Sequence, residues 1–232
     1  MKTVKIFAVA MIALFAASSV KAQEFKASAD IVNAYVWRGT QAAGASVQPT
    51  LDFTAGGFSI GAWGSASLAE ISGTFVQEAD LYAKYVFGFG LSVGVTDYYY
   101  TGSSYFGKSH AFEGNLGYTI GGLSLSGNYI FNDAISAGGD TYFEIGYAFP
   151  KLSLFVGAGD GWHTPDTKFA VCNIGASTTK EIKITETFSI PLKASVILNP
   201  KTEQCFLVAG ITLKSNKTLK KIVELRLCDY TN

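Results

Sequence analysis

The 232-residue chain carries 18 basic and 18 acidic side chains, and charged residues make up only 16% of it against 48% hydrophobic. That is little charge for a surface that meets water all round, and no basic stripe outside the C-terminal tail offers nucleic acid a footprint, so nucleic-acid partners are excluded. Past the first 22 residues no apolar run has the length of a membrane-spanning helix, so if this chain crosses a membrane it does so as strands.

The chain opens with an export signal. Lys2 and Lys5 precede the apolar stretch 6–20, and Val20-Lys21-Ala22 supplies the small or apolar residues of a cleavage site, so residues 1–22 are expected to be removed after Ala22. An uncleaved anchor is the alternative, though the apolar core is short for one. Without Lys2, Lys5 and Lys21 the chain has 15 basic and 18 acidic groups, a formal net charge of −3.

From residue 23 onward large apolar side chains alternate with small or polar ones, as in Leu123-Ser124-Leu125-Ser126 and Phe143-Glu144-Ile145-Gly146-Tyr147. A period of two puts alternate side chains on one face of a strand. Strands are predicted over 25–38, 46–55, 58–67, 75–87, 91–100, 110–120, 123–132, 141–149, 152–160, 169–179, 188–198 and 205–213, about twelve in all. Connectors alternate in length. Gly56-Gly57, Gly88-Phe89-Gly90, Gly121-Gly122 and Pro150-Lys151 are tight, while 39–45, 68–74, 101–109, 133–140, 161–168 and 199–204 are longer. One connector, 180–187, stands where a tight turn belongs and is long. Short turns at one end and long loops at the other are the pattern of an all-β, up-and-down antiparallel transmembrane β-barrel, here residues 23–214.

Periodicity alone leaves the orientation open, because a soluble barrel or sandwich would turn the bulky face inward. The opposite face is rich in Ser, Gly and Ala (Ser59, Gly61, Ser65, Ser124, Ser126, Ser153, Gly157, Gly159), a poor surface for water. Aromatics gather at strand ends (Phe25, Tyr35, Trp37, Phe58, Tyr85, Phe87, Tyr99, Phe131, Phe149 and Phe188), as in interfacial girdles. Both features favour bulky side chains toward lipid.

That orientation encloses Lys26, Asp30, Arg38, Asp52, Glu78, Asp80, Lys84, Glu113, Glu144 and Lys193, a lumen of four basic and six acidic groups, together with Trp63, Tyr82, Asn115 and Asn128. Two readings stand side by side. The lumen is a narrow pore for small polar solutes or ions with weak cation preference, or it is closed by pairs such as Asp30–Arg38 and Asp80–Lys84. Arg38, beside a Gly turn at the outer end of the first strand, is placed to meet an anionic solute or lipopolysaccharide phosphate, or to sit in a wall ion pair.

No catalytic centre is expected. The histidines are His110 and His163 alone. Ser109 and His110 are neighbours on a strand and point to opposite faces, so they make no nucleophile–base pair with each other. A surface lipid hydrolase using His110 remains the enzymatic alternative. No metal or cofactor is expected, since no Cys or His spacing suits one. Cys172, Cys205 and Cys228 are expected to be unpaired, the first two lying two strands apart. Residues 215–232 read as a tail on the periplasmic side, since one more strand would make the count odd.

Asp30-Ile31-Val32-Asn33-Ala34-Tyr35-Val36-Trp37-Arg38-Gly39-Thr40-Gln41, with Phe58-Ser59-Ile60-Gly61-Ala62-Trp63-Gly64-Ser65, Asp80-Leu81-Tyr82-Ala83-Lys84-Tyr85 and Val93–Gly102, resembles the TorF-type porin family of Gram-negative outer-membrane proteins. The resemblance runs from the cleavage point to Gly102 and beyond it is a shared strand rhythm. It implies an outer-membrane barrel among lipid and lipopolysaccharide, with a pore for small polar solutes, and it carries over no catalytic residue. The continuation past Leu213 departs from barrels that end on an aromatic.

Overall fold

The computed structural model describes residues 23–70, 73–106, 109–134, 137–186 and 188–214. The expected leader (1–22) and tail (215–232), with Cys228, lie outside them. In chain order the strands are β1 (Glu24–Val32), β2 (Tyr35–Trp37), β3 (Thr40–Ala43), β4 (Ser46–Ala55), β5 (Phe58–Ser67), β6 (Gln77–Val86), β7 (Leu91–Tyr99), β8 (His110–Ile120), β9 (Leu123–Ile130), β10 (Thr141–Ala148), β11 (Ser153–Gly161), β12 (Thr167–Lys183), β13 (Ser189–Asn199) and β14 (Gln204–Lys214). Twelve of them form a closed antiparallel barrel in which each strand pairs with the next and β14 pairs back onto β1. Closure leaves the sheet no free side along its length, which is how strands satisfy their backbone inside hydrocarbon.

Two-residue turns at Gly56-Gly57 and Gly121-Gly122 join Ala55 to Phe58 and Ile120 to Leu123, with φ of +61° at Gly56 and +57° at Gly121. Glycine supplies that left-handed backbone without a clash. The first half of the long connector expected at 180–187 is strand. β12 runs to Lys183, and the N–H groups of Ile184 and Thr185 both donate to the Phe188 carbonyl at 2.9 and 3.0 Å, which shortens the connector to 184–188.

Residues directly opposite in register point to the same side. Following Lys26, Asp52, Gly61, Tyr82, Thr96, Glu113 and Ile130 around the ladder gives one continuous face. Glu113 and Ile130 on that face are 1% and 0% exposed. The other face carries Leu51, Leu116, Leu125, Phe143, Ile145 and Val156, all exposed. The bulky side chains therefore point outward, as they must for an outer-membrane-type barrel. Tyr85–Phe87 and Tyr147–Phe149 ring pairs, 4.9 and 4.8 Å apart, mark the tight-turn end of the wall.

The first predicted strand is corrected. It ends at Val32 rather than Arg38, and Asn33 closes its ladder by donating to the Leu207 carbonyl and accepting from Ala209 N–H. Beyond it β2 and β3 form a separate two-stranded hairpin. Tyr35 and Trp37 consequently leave the outer girdle and join the barrel interior.

Candidate functional site

The β2–β3 hairpin lies across the lumen. Its turn is Arg38-Gly39, between the opposed residues Trp37 and Thr40, with φ of +48° at Arg38 and +83° at Gly39. Two positive φ angles in a two-residue loop define the type I′ geometry that twists with its strands. A left-handed backbone at a bulky residue is uncommon and is held only by its surroundings. Those surroundings come from nearly every sector of the wall. Tyr35 sits 5.3 Å from the Trp63 ring of β5. Trp37 packs against Tyr98 of β7 and against Trp162 and His163 of the β11–β12 loop, at 5.5, 5.6 and 5.1 Å between centroids. Asn199 at the end of β13 donates to the Gly39 carbonyl at 3.0 Å.

Arg38 is the anchor. Its two terminal nitrogens donate to the two carboxylate oxygens of Glu113, Nη1 to Oε2 at 2.6 Å and Nη2 to Oε1 at 3.0 Å. The guanidinium also lies over the rings of Trp37 and Tyr142 at 4.5 and 4.4 Å. A fork-on-fork pair is both directional and charge-assisted, and two aromatic faces add cation–π attraction. Glu113 further accepts from the Tyr98 hydroxyl at 3.0 Å and from Asn115 Nδ2 at 2.6 Å. Beneath the hairpin a polar belt continues. Thr96 donates to Asn115, Asn115 to Asn128 and Asn128 to the Tyr142 carbonyl, while Asn173 donates to Glu144 at 3.0 Å.

The residues expected in the lumen divide into pairs other than those expected. Asp30 pairs with Lys193 at 2.8 Å rather than with Arg38. The reason is that Arg38 does not continue β1 but rides the hairpin to the far wall. Lys84 is exposed and makes no ion pair with Asp80, which is 6% exposed. Asp52 accepts from the Tyr82 hydroxyl across Gly61. Trp63 supports the hairpin, Glu144 joins the belt, and Glu78 is 4% exposed beside Tyr35. Cys172, buried, and Cys205, exposed, are both free. His163, read from the sequence as a loop residue rather than a metal ligand, closes over the hairpin with its Nε2 3.4 Å from Arg38 Nη1. Only its neighbours Gly161-Trp162 and Thr164-Pro165 hinted at an ordered turn.

Burial, with the Arg38 charge beside it, pushes the His163 imidazole down to about 3, against a weaker opposing pull from Asp160. The neutral ring turns Nε2 toward Arg38 as acceptor, and a proton there would set cation against cation. The bound value lies below the ordinary 6.5, so the released loop takes the extra proton. Docking is therefore complete above pH 6.5 and weakens as pH falls toward 3. Between pH 6.5 and 5 protease nicking of the hairpin should rise in the wild type and stay level in His163→Gln. Equal slopes in both would assign the effect to groups other than His163.

On the outer wall His110 Nδ1 lies 2.9 Å from each carboxylate oxygen of Asp97, and Nε2 lies 2.7 Å from the Tyr105 carbonyl. Both ring nitrogens face acceptors, which leaves no bare nitrogen for a nucleophile's proton. Ser109 Oγ is turned to the Ser104 carbonyl instead.

Wall, girdle and inward hairpin define the class: an outer-membrane-type twelve-stranded β-barrel with its first long connector folded into the lumen. The chain belongs to the Gcw_chp family, described as bacterial protein of unknown function, whose model matches residues 16–188. Among solved structures it is similar to outer membrane phospholipase A from Escherichia coli, at 14% identity over 84% of this chain and 90% of that one, with a TM-score of 0.39. It is also similar to the Salmonella typhi outer membrane phospholipase (OMPLA) dimer with bound calcium, at 12% identity over the same shares and the same TM-score. None of the curated proteins matches the chain.

Proposed function

We propose that this protein is a gated outer-membrane pore of a Gram-negative bacterium, exported by cleavage after Ala22, and that the β2–β3 hairpin is its gate. The observation that carries the reading is the Arg38–Glu113 pair, one partner on the hairpin and one on the wall, with side-chain exposures of 13% and 1%. A buried ion pair adds little net stability compared with apolar packing, and its best-attested use is to fix one arrangement or switch between two. The wall away from the hairpin suits polar passengers. Asp30, Asp52 and Glu144 share it with Ser124, Ser126 and Ser195, and the acidic excess of the lumen as a whole, six carboxylates against four cations, favours cations. The resemblance to TorF-type porins agrees with this reading. The saturated His110 argues against the lipid hydrolase. The aromatic packing of Trp37 supports a second reading, a permanently closed structural barrel in contact with lipopolysaccharide.

Planar-bilayer recording separates the two. The refolded wild type should open rarely, Arg38→Ala should conduct more often, and a chain with residues 35–43 replaced by a short Gly/Ser linker should conduct continuously with cation over anion selectivity. A silent linker variant would eliminate the pore. A wild type that conducts as the linker variant does would eliminate the gate.

A further inference from the structure

Next to the hairpin, on the inner face of β5 and β6, lies a group of oxygens that the gate does not use. Glu78 and Asp80 are two apart on one strand and so share a face. Ser65 stands directly opposite Glu78, and Trp63 directly opposite Asp80. Glu78, Asp80 and Ser65 are 4%, 6% and 3% exposed. Each presents one oxygen with no hydrogen-bond partner: Oε2 of Glu78, Oδ1 of Asp80 and Oγ of Ser65. Tyr100 stands opposite Glu78 on its other side, and the Tyr35 ring lies 5.3 Å from that of Trp63, so two phenol side chains flank the group.

Charge makes the arrangement specific. Among the described residues no lysine or arginine pairs with either carboxylate. Arg38, the cation on the hairpin, is committed to Glu113. Two carboxylates this deep, without a counter-charge, are costly. The unpartnered Ser65 hydroxyl raises the cost and shows what would relieve it, because a hydroxyl and two carboxylates together are ligands for a hard cation, with oxygen donors only and no sulfur or imidazole among them.

We infer that Glu78, Asp80 and Ser65 form a binding site for one hard divalent cation of the calcium type inside the barrel wall, completed by the hydroxyls of Tyr35 and Tyr100. The two carboxylates match its charge. Tyr35 belongs to the hairpin and the other four residues to the wall or its rim, so the cation fastens β2 to β6. The site does not depend on ion conduction, and a barrel that never conducts would still bind the metal.

Terbium tests this, since Trp63, Tyr35 and Tyr100 stand close enough to sensitise its luminescence. Full-length protein is refolded in detergent free of lipopolysaccharide, once with and once without calcium, and titrated with terbium. Saturable luminescence at one ion per barrel, displaced by calcium, is expected, together with a higher Tm in calcium than in chelator. Glu78→Gln and Asp80→Asn should each weaken binding by at least about tenfold, as loss of a charged ligand does. Ser65→Ala, a milder change that keeps the fold if the others do not, should weaken it less. Asp166→Asn, on an exposed loop carboxylate, should leave it unchanged. Luminescence that fails to saturate, or that survives intact in the Glu78, Asp80 and Ser65 variants, overturns the site and assigns the carboxylates to a shared proton. Because the readouts are luminescence and Tm, failure here leaves the gate standing, and failure of conduction leaves the cation site standing.

Discussion

Glu113→Gln should release the hairpin, at a cost to its docked state of about 3–5 kcal/mol, the usual effect of removing one partner from a buried ion pair. The guanidinium of Arg38 would keep its aromatic neighbours Trp37 and Tyr142 but lose the carboxylate that both its terminal nitrogens now bond. Tyr98 and Asn115, which donate to the same carboxylate, would face a neutral amide. The decisive comparison is the double variant Arg38→Met with Glu113→Leu. Apolar replacement of both partners removes the unpaired charge, so the double variant should dock better than Glu113→Gln alone, and the cycle should show strong coupling. Urea titration of hairpin protection against protease, in detergent, reads both. Additive costs would mean that Arg38 and Glu113 act separately and that aromatic packing alone holds the hairpin.

The wall was legible in the sequence because two local signals agree. Alternation placed β4, β5 and β8 at their observed bounds, and glycine pairs fixed the turns at 56–57 and 121–122. Where one signal was missing the reading slipped. No glycine marks the turn at 184–188, so the last residues of β12 read as loop. The hairpin was hidden for a different reason. Tyr35 and Trp37 continue the odd-numbered parity of Ala27, Ala29 and Ile31, so alternation ran on through them. The interrupting signal was Asn33, a polar side chain on the lipid-facing parity, followed by Arg38-Gly39 as a turn dipeptide.

Pairing inside the lumen was not legible at all. Arg38 and Glu113 are 75 residues apart, and nothing local distinguishes that carboxylate from Asp30, Asp52 or Glu144. Their partners follow from where a strand breaks and how far the hairpin reaches. The acidic pair on β6 was visible as a pair. Its isolation from Lys84 was not, since i and i+4 on a strand share a face but stand far apart along it. His110 was correctly placed on the outer parity, whereas Asp97 beside it could be found only from the β7–β8 register.

Gly39→Val should prevent the hairpin from seating, with an effect comparable to losing its charge anchor. The backbone there has a φ of +83°, and a Cβ would collide with the Cys172 carbonyl oxygen and come within 3.2 Å of the Asn173 Cα. Strain at a left-handed position alone costs on the order of 1–3 kcal/mol for a side chain. The collision is with strand backbone, at a point where the β11–β12 register shifts and the wall is already fixed by its neighbours. Withdrawal of the hairpin also takes the Gly39 carbonyl from Asn199, which is 1% exposed. Cys172 reports the event, being fully buried. In a background with Cys205→Ser and Cys228→Ser, a small maleimide should leave Cys172 unmodified until Gly39→Val is introduced. Gly102→Val is the control. Its φ is +92° but nothing lies within 4 Å of the added carbon, so it carries the backbone strain without the collision, and Cys172 should stay protected. Labelling of Cys172 in both variants, or in neither, would show that close contact between the turn and β12 does not hold the hairpin inside.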